Sequence, residues 1–594
     1  MDTTSPESGN RLRMTRQLII DEIISPSEAS TGALKSRHNE RAPISQLPCA
    51  VLTTIFSLLS VFAWNEGSGN LAWIYVAHVC RRWRETALNH SHFWSHINFT
   101  RLTPVGMAEI LSRAKTAPLH LEAYFYKTNM ERFEDLGKQL EAHIFHTRYL
   151  KLSGCHLSTV VKRLVSSTPT LESLTLSHTS SLYTTIPDNL FNCTAPSLTS
   201  LRLQQNCDIG WKSPLFKGLR ILEILEPSEE ARPELNDWLD ALNEMPQLKE
   251  LSLRSATPVA PHADPLILPS ISRTVTLPSL TYFYIGASAE DCALALAHLV
   301  LPTLTQLHVD IKSHNWDGED VLLAIPYIVR NVCVLQDIEP IRSILIAGER
   351  KRTEVVTWTT PGADVKVRGP ESLNSMSRSA CFLFVANGDS WHYGVKTAIS
   401  DALLTLLPTD SVSTLTAQNR TRLSKGFWLR HASGLRLLEQ ARLVPTAVRA
   451  FKEMLSEDIP FDSDGPQFPL LTKLILLDVR LTLIRTLHLR DTLIERVEQG
   501  VPLEYLDLRT CVAPNRAIQL LAEIVVDVRE PLGARKIPLD VFYNRYEGIG
   551  YRNAVEFDDG RGSWYDDTDS GEDEDGDEDD SEDEDGMDYN SFMG

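Results

Sequence analysis

Hydrophobic positions along this chain fall into successive patterns. Residues 1–41 are mostly polar, with Ser, Thr and Pro punctuation. They carry one helical pattern, Thr15 to Ile24, in which Leu18, Ile19, Ile23 and Ile24 recur at roughly helical spacing before Pro26 ends it. From residue 42 to 100 the apolar density rises. Pro48 suits the first turn of a helix, where its missing N–H has no intrahelical partner. That helix carries Val51, Leu52, Ile55, Phe56, Leu58, Leu59 and Phe62, more than one narrow stripe and wider than packing on one neighbour demands. A loop at Asn65 to Asn70 follows. The pattern then predicts a second helix with Trp73, Val76, Ala77, Cys80, Trp83 and Ala87 on one face and Arg81, Arg82 and Arg84 around the other. Phe93, Trp94, Ile97 and Phe99 close the unit. About sixty residues cannot hide this much apolar surface in a core of their own, so an obligatory partner is expected. The alternative is cover by the rest of the chain.

From about residue 146 a repeat appears, in its short form Pro-x-Leu-x-x-Leu-x-Leu. Pro169, Leu171, Leu174, Leu176 show it, as do Pro196, Leu198, Leu201, Leu203 and Pro246, Leu248, Leu251, Leu253. Pro278, Leu280, Phe283, Ile285 and Pro302, Leu304, Leu307, Val309 continue it; Leu219, Leu222 and Ile224 fit without the proline. Pro469, Leu471, Leu474, Leu476 and then Leu503, Leu506, Leu508 return to it. The Leu-x-Leu end reads as a short strand whose alternate side chains enter a common core. The stretches between, such as Leu235 to Met245, have helical spacing and would form an outer layer. One unit cannot bury its apolar face, but stacked units can. Between about 330 and 465 the repeat fades. Ser343 to Thr359 alternates like a hairpin around Gly348-Glu349-Arg350-Lys351, and Cys381 to Val385 reads as a buried strand. Degenerate repeats with insertions, or a separate small domain, would account for this region. After about Tyr546 the chain turns Gly- and Asp-rich and is expected to be disordered. The fold class is therefore α/β: an N-terminal segment at 1–41, a small all-helical module at 42–100, a leucine-rich-repeat-like solenoid at 101–545, and an acidic tail at 546–594.

The module resembles the F-box domain, with wording close to that of F-box proteins of mushroom-forming fungi. Carrying the resemblance are Pro43-Ile44, Leu47-Pro48, Ile55-Phe56, Val79-Cys80-Arg81-Arg82-Trp83 and His92-Phe93-Trp94. It implies that the Leu-Pro pair and the apolar face of the first helices dock on a Skp-type adaptor, which links to a cullin scaffold. The residues it assigns to that contact are Pro43, Ile44, Leu47, Pro48, Val51, Leu52, Ile55 and Trp83. One position departs from the family: Ala50 stands where a Glu is usual. An exposed acid in the first helical turn contributes roughly 0.3–1 kcal/mol through the helix dipole, less than the apolar contacts that dominate docking. The resemblance implies the substrate-recognition subunit of a Skp–cullin–F-box ubiquitin ligase, with the repeats receiving an unknown protein substrate. The competing class is a leucine-rich-repeat scaffold that binds a partner without ubiquitin transfer.

Charge and chemistry narrow this further. The 594 residues are 43% apolar and carry a formal net charge of −20. Much of that charge sits between Asp566 and Asp588, a block with about sixteen acidic side chains and no basic one that is expected to self-repel. This block reads either as a solubilising extension or as an attractor of a basic partner, and Ser570 and Ser581 precede acids in the manner of acid-directed phosphorylation sites. The remainder is only mildly acidic and gives no bulk case for nucleic acid. Arg350-Lys351-Arg352 reads as a hairpin tip rather than a nuclear signal. The nine cysteines lack zinc-like spacing, and there is no signal peptide; a reducing, cytoplasmic or nuclear setting is expected. No apolar run approaches the roughly 20 residues of a membrane span. Nucleophile elbows, phosphate loops, zinc-protease and dinucleotide motifs do not occur, so neither catalysis, cofactor nor metal is expected of this chain. His90, His92 and His96 crowd together but match no common zinc pattern and read as structural. His143 and His146, one helical turn apart, read as surface residues.

Overall fold

The computed structural model describes residues 42–65, 71–125, 130–179, 183–260, 271–313, 315–336, 339–349, 351–362, 380–388, 391, 393–419, 421–456, 466–532 and 536–537. The Thr15–Ile24 helix, the acidic tail with Ser570 and Ser581, and Arg350 lie outside these residues. Two compact units account for the chain: one comprises Met1–Arg420 with Leu429–Gln440, the other Thr421–Trp428 with Ala441–Gly594.

The first unit opens with a 3-10 turn at Pro43–Gln46, followed by helix α1 (Cys49–Asn65). The carbonyl of Pro48 accepts from the amides of Val51 and Leu52 at 3.0 and 3.2 Å, so proline launches the helix without an N–H to leave stranded. The expected second helix is two elements. Leu71–His78 is a 3-10 helix, Cys80 is extended (φ −156°, ψ 169°), and helix α2 spans Arg81–Asn89. Arg84 spans the break, donating from Nε to the carbonyl of Ala77 at 3.1 Å. An aromatic cluster holds the module together. The Phe56 ring lies 5.3 Å from Trp83 and 5.7 Å from Phe93, while Trp73 meets Phe93 and Trp94 at 4.7 and 5.5 Å. Such tilted and edge-on pairs add about 0.5–1.5 kcal/mol each beyond the area they bury. Trp94 also donates Nε1 to Ala87 O at 2.8 Å, and the Arg113 guanidinium of helix α3 (Pro104–Ala114) lies 4.6 Å from its ring.

The module is not wholly helical. Residues His96–Asn98 form strand β1, which pairs in parallel with β2 (Leu119–Phe125). From there the sheet runs through β3 (Thr147–Gly154), β4 (Ser173–Ser177), β5 (Ser200–Gln204), β6 (Ile221–Leu225), β7 (Glu250–Arg254), β8 (Tyr282–Ala287) and β9 (Gln306–Ser313), all parallel. Register puts the repeat leucines in line. One rung set runs Ile97, Leu121, Leu150, Leu174, Leu201, Leu222, Leu251, Phe283, Leu307; a second runs Leu152, Leu176, Leu203, Ile224, Leu253, Ile285, Val309. All of these side chains are buried. The repeat length varies, from 21 residues between Leu201 and Leu222 to 32 between Leu251 and Phe283, yet the strands keep register because the variation falls in the outer layer. Gln205, Glu226 and Ser255 leave their strands with φ of 52–57°, and their amides bond to carbonyls of the next repeat, extending the ladder by one step.

Where the repeat fades, the sheet of this unit continues. Strand β12 (Phe382–Gly388) pairs in parallel with β9, aligning Leu307 with Phe382 and Val309 with Phe384. The hairpin β10 (Ser343–Gly348) and β11 (Arg352–Trp358) then adds antiparallel beside β12, and β13 (Thr414–Asn419) pairs in parallel with β10. Hydrogen bonding joins the strands between Ser343 and Asn419 to the first unit's sheet, while Thr421–Trp428 and the chain from Ala441 belong to the second unit. These strands are buried on both faces, with Leu345, Val356, Trp358, Leu383 and Val385 forming a cluster on the side where the earlier strands carry polar residues.

The second unit repeats the motif on a smaller scale. Strands β14 (Lys473–Leu476), β15 (Tyr505–Asp507) and β16 (Asp527–Arg529) are parallel, with Leu474 opposite Leu506 and Leu506 opposite Val528. Trp428, Phe451 and Phe468 form its aromatic core at 4.6–6.1 Å. Buried Arg496 donates to the carbonyls of Gln467, Phe468 and Leu471, satisfying turn oxygens that would otherwise be stranded.

If the leucine rungs carry the stability of the array, Leu253→Ala lowers the unfolding free energy by about 2–5 kcal/mol. Ser252→Ala, on the opposite face, changes it by under about 0.5 kcal/mol. Urea denaturation followed by tryptophan fluorescence measures both.

Candidate functional site

Helix α1 carries two apolar stripes, and the fold uses one of them. Leu52, Phe56 and Ser60 face inward and are buried. Val51, Ile55, Leu58 and Phe62, spaced i, i+4, i+7, i+11, share the other side. Val51 is 41% exposed and Leu58 and Phe62 are each 64% exposed. Leu59, Ile44, Tyr75 and Val79 are exposed as well, so the exposed apolar side chains are not confined to this stripe.

Of the residues expected to contact an adaptor, Pro43, Ile44, Pro48 and Val51 are exposed, and Leu47, Ile55 and Trp83 are half-buried. Leu52 differs: it is fully buried, and supports α1 from within rather than presenting itself to a partner. Trp83 is turned onto Phe56, so its part in any docking is largely to hold that ring. Sequence reasoning missed Leu58, Leu59, Phe62, Tyr75 and Val79 as surface residues. Helical spacing from Val51 was the available signal for Leu58 and Phe62.

The arginines have a structural role. Arg82 donates through Nη1 and Nη2 to the carbonyls of Ser45 and Leu47, tying the Pro43–Leu47 segment to α2. The first turn of α1 holds no acid, and Cys49 there lies 3.9 Å from the same guanidinium.

Trp64, in the last turn of α1, meets the rings of His96 and Tyr149 edge-on at 6.0 and 5.9 Å. His96 in turn stacks on His120 at 4.4 Å, and His120 on Tyr149 at 6.2 Å. Burial, then the neighbouring His120 and His92, lowers the His96 pKa to about 4. Burial, then Arg148, also lowers that of His120. His90 lies 2.7 Å from Ser57 Oγ and is lowered by burial and by His92. His146 is buried rather than on the surface: Nδ1 donates to Ala117 O at 2.8 Å, which leaves Nε2 to accept from His143 Nδ1 at 3.1 Å. Spacing put the two on one face without saying that the Ala117 carbonyl meets His146 there.

The second candidate surface is the polar face of the sheet, opposite the leucine rungs. Lys151 bridges to Glu122 at 2.7 Å, and Arg202 to Glu223 at 3.1 Å. Arg254 lies 5.4 Å from the Tyr284 ring and donates to that phenol at 2.7 Å and to Asp310 at 3.3 Å; Asn387 donates to Asp310 at 3.0 Å. Tyr282 sits between Glu250 and Gln306 in register, its hydroxyl 3.3 Å from His308 Nδ1. Burial, then Glu223 and Glu250, raises the Tyr282 phenol.

Residues 44–100 match the F-box-like family model. Among solved structures, the leucine-rich repeat-containing protein LegL7 from Legionella pneumophila is similar at 12% identity, over 65% of this chain and 83% of that one, with a TM-score of 0.20. No curated protein matches. The chain thus carries an F-box-like domain at 44–100, followed by an array that its own strand register makes leucine-rich-repeat-like. Such a combination is suited to protein interaction, and F-box domains generally bind Skp-type adaptors. Among the described residues, no helix is long and apolar enough to cross a membrane.

A pH dependence follows from His96. Its pKa in the fold is about 4 against an ordinary 6.5, so on acidification the unfolded chain takes up the proton first. The stabilisation is complete above about pH 6.5 and is lost as pH falls toward about 4. Thermal unfolding between pH 7 and 4 should fall less steeply for His96→Phe than for the unaltered chain.

Proposed function

We propose that this chain is the substrate-receptor subunit of a Skp–cullin–F-box ubiquitin ligase, working in the cytoplasm, the nucleus or both. The observation that carries this reading is the outer stripe of α1. Within an F-box-like domain, Val51, Leu58 and Phe62 remain exposed on one side of α1 while Leu52 and Phe56 on the other are fully buried. Ile44, Leu47 and Pro48 lead into the same helix, and Arg82 fixes their backbone. An apolar surface of this kind supports a Skp-type adaptor as occupant, and a cullin through it. The chain itself performs no catalysis in this reading. Ubiquitin transfer belongs to the recruited conjugating enzyme, and the chain contributes proximity between that enzyme and the substrate. The repeat array is the part left to receive the substrate.

Fully burying a Leu or Phe side chain contributes about 1.5–3 kcal/mol. Leu58→Ser combined with Phe62→Ser should therefore reduce adaptor binding by about 100-fold or more while leaving thermal stability nearly unchanged, since neither side chain is in the core. Leu52→Ala should do the reverse, lowering stability first. Affinity purification with mass spectrometry under proteasome inhibition reads adaptor, cullin and candidate substrates together. Recovery of adaptor without any cullin would replace the ligase by a scaffold acting without ubiquitin transfer. Undiminished adaptor recovery with the double variant would remove the proposed docking surface.

A further inference from the structure

We infer that the polar face at β6, β7 and β8 binds a basic segment of a partner protein, with a lysine or arginine laid across Tyr282 onto the carboxylate of Glu250. This rests on the reading of the array as the substrate-receiving part, and specifies the chemistry of what it receives.

The open face is bounded. From β3 to β9 it carries half-buried polar and aromatic side chains, but from β12 onward the same face is sealed by Leu383, Val385, Val356, Trp358 and Leu345. From β3 to β8 the cations projecting from the floor strands are already held, whereas Lys312 at the end of β9 is exposed and forms no ion pair among the described residues. Lys151 is paired with Glu122, Arg202 with Glu223, and Arg254 with Asp310 and Tyr284. Glu250 is exposed and forms no ion pair among the described residues. Lys249, next to it in sequence, and Arg220, whose carbonyl accepts from the Glu250 amide on the neighbouring strand, form none with it. In register Glu250 stands between Ile221 and Tyr282, both half-buried.

This arrangement complements one kind of side chain. The methylene stem of a lysine or arginine covers apolar surface while its head stays polar. Here the stem would lie over the Tyr282 ring and the head would meet Glu250, with Ile221 flanking the carboxylate on its other side. The ring face adds a cation–π attraction, and Glu223 and Glu250 already place Tyr282 in a negative field. An acidic segment would meet an uncompensated carboxylate instead.

The test uses the full chain, purified with whatever adaptor accompanies it, and two nine-residue Gly/Ser peptides bearing a central benzoylphenylalanine. One contains a Lys and an Arg; the other has Glu at both places. Expected is photo-crosslinking of the basic peptide to residues 221–225, 250–254 or 282–286, with affinity about three- to tenfold lower in Glu250→Gln and in Tyr282→Ala. Glu250→Gln is an exposed, isosteric change, so it keeps the measurement meaningful should Tyr282→Ala disturb the strand. Crosslinks confined to residues 566–588, or equal affinity in Glu250→Gln, would overturn the inference. Adaptor recovery is read in the same samples: its loss from the unaltered chain counts against the ligase reading, whereas Glu250→Gln leaves it unchanged under either outcome.

Discussion

A parallel ladder buries its leucines only while another rung lies on each side, so an array of repeats is exposed first at its ends. In the first unit that constraint is met by the module that precedes the array. Ile97 is the rung before Leu121, and it follows directly on Phe93 and Trp94, which belong to the aromatic core around Phe56. Arg113 on α3 covers Trp94 from the array side, and Trp64 on α1 meets His96 and Tyr149. The module therefore acts as the N-terminal cap of the solenoid. Helix α1, built on this cap, shares the unit of the array, with strand β1 passing directly from one to the other.

The same economy explains the division of α1. A seventeen-residue helix with an apolar residue at most positions cannot bury all of them against a module this small. Leu52 and Phe56 take the inward side because the Trp83 and Phe93 rings are there to receive them. The outward side is left with Val51, Leu58 and Phe62, and no second layer of the described chain reaches them.

Much of this was legible in the residues. The rung positions could be read because strand periodicity repeats Leu-x-Leu at each turn, and a register built on such pairs tolerates outer segments of any length. The hairpin at Ser343–Trp358 was visible from its alternation, but its place in the sheet was not. Its neighbour β12 pairs with β9, aligning Leu307 with Phe382 across a long stretch of chain, and no local pattern encodes that. The second module helix was misread for a related reason. Trp73, Ala77, Cys80 and Ala87 keep helical spacing in sequence, with no Gly or Pro to mark a break. The backbone departs at Cys80 nevertheless, and Arg84 holds the two parts together through the Ala77 carbonyl. Leu52 was assigned to the outside because spacing gives the faces of a helix without saying which of two apolar faces finds partners.

The polar face raises the question of how a regular surface becomes selective. Adjacent strands lie about 4.8 Å apart, so side chains in register across them meet whether or not a ligand is present. Opposite charges placed in one row then pair with each other, as Glu122 does with Lys151 and Arg202 with Glu223. Half-exposed pairs of this kind contribute little to stability, roughly 0–1 kcal/mol. Their effect on recognition is larger, because each pair withdraws two charges from what a partner can use. The Arg254, Tyr284 and Asp310 network does the same at the edge of the sealed region. Selectivity on such a face is set by the residues left out of these rows, and the fold determines which those are by fixing the register that the leucines impose from the other side.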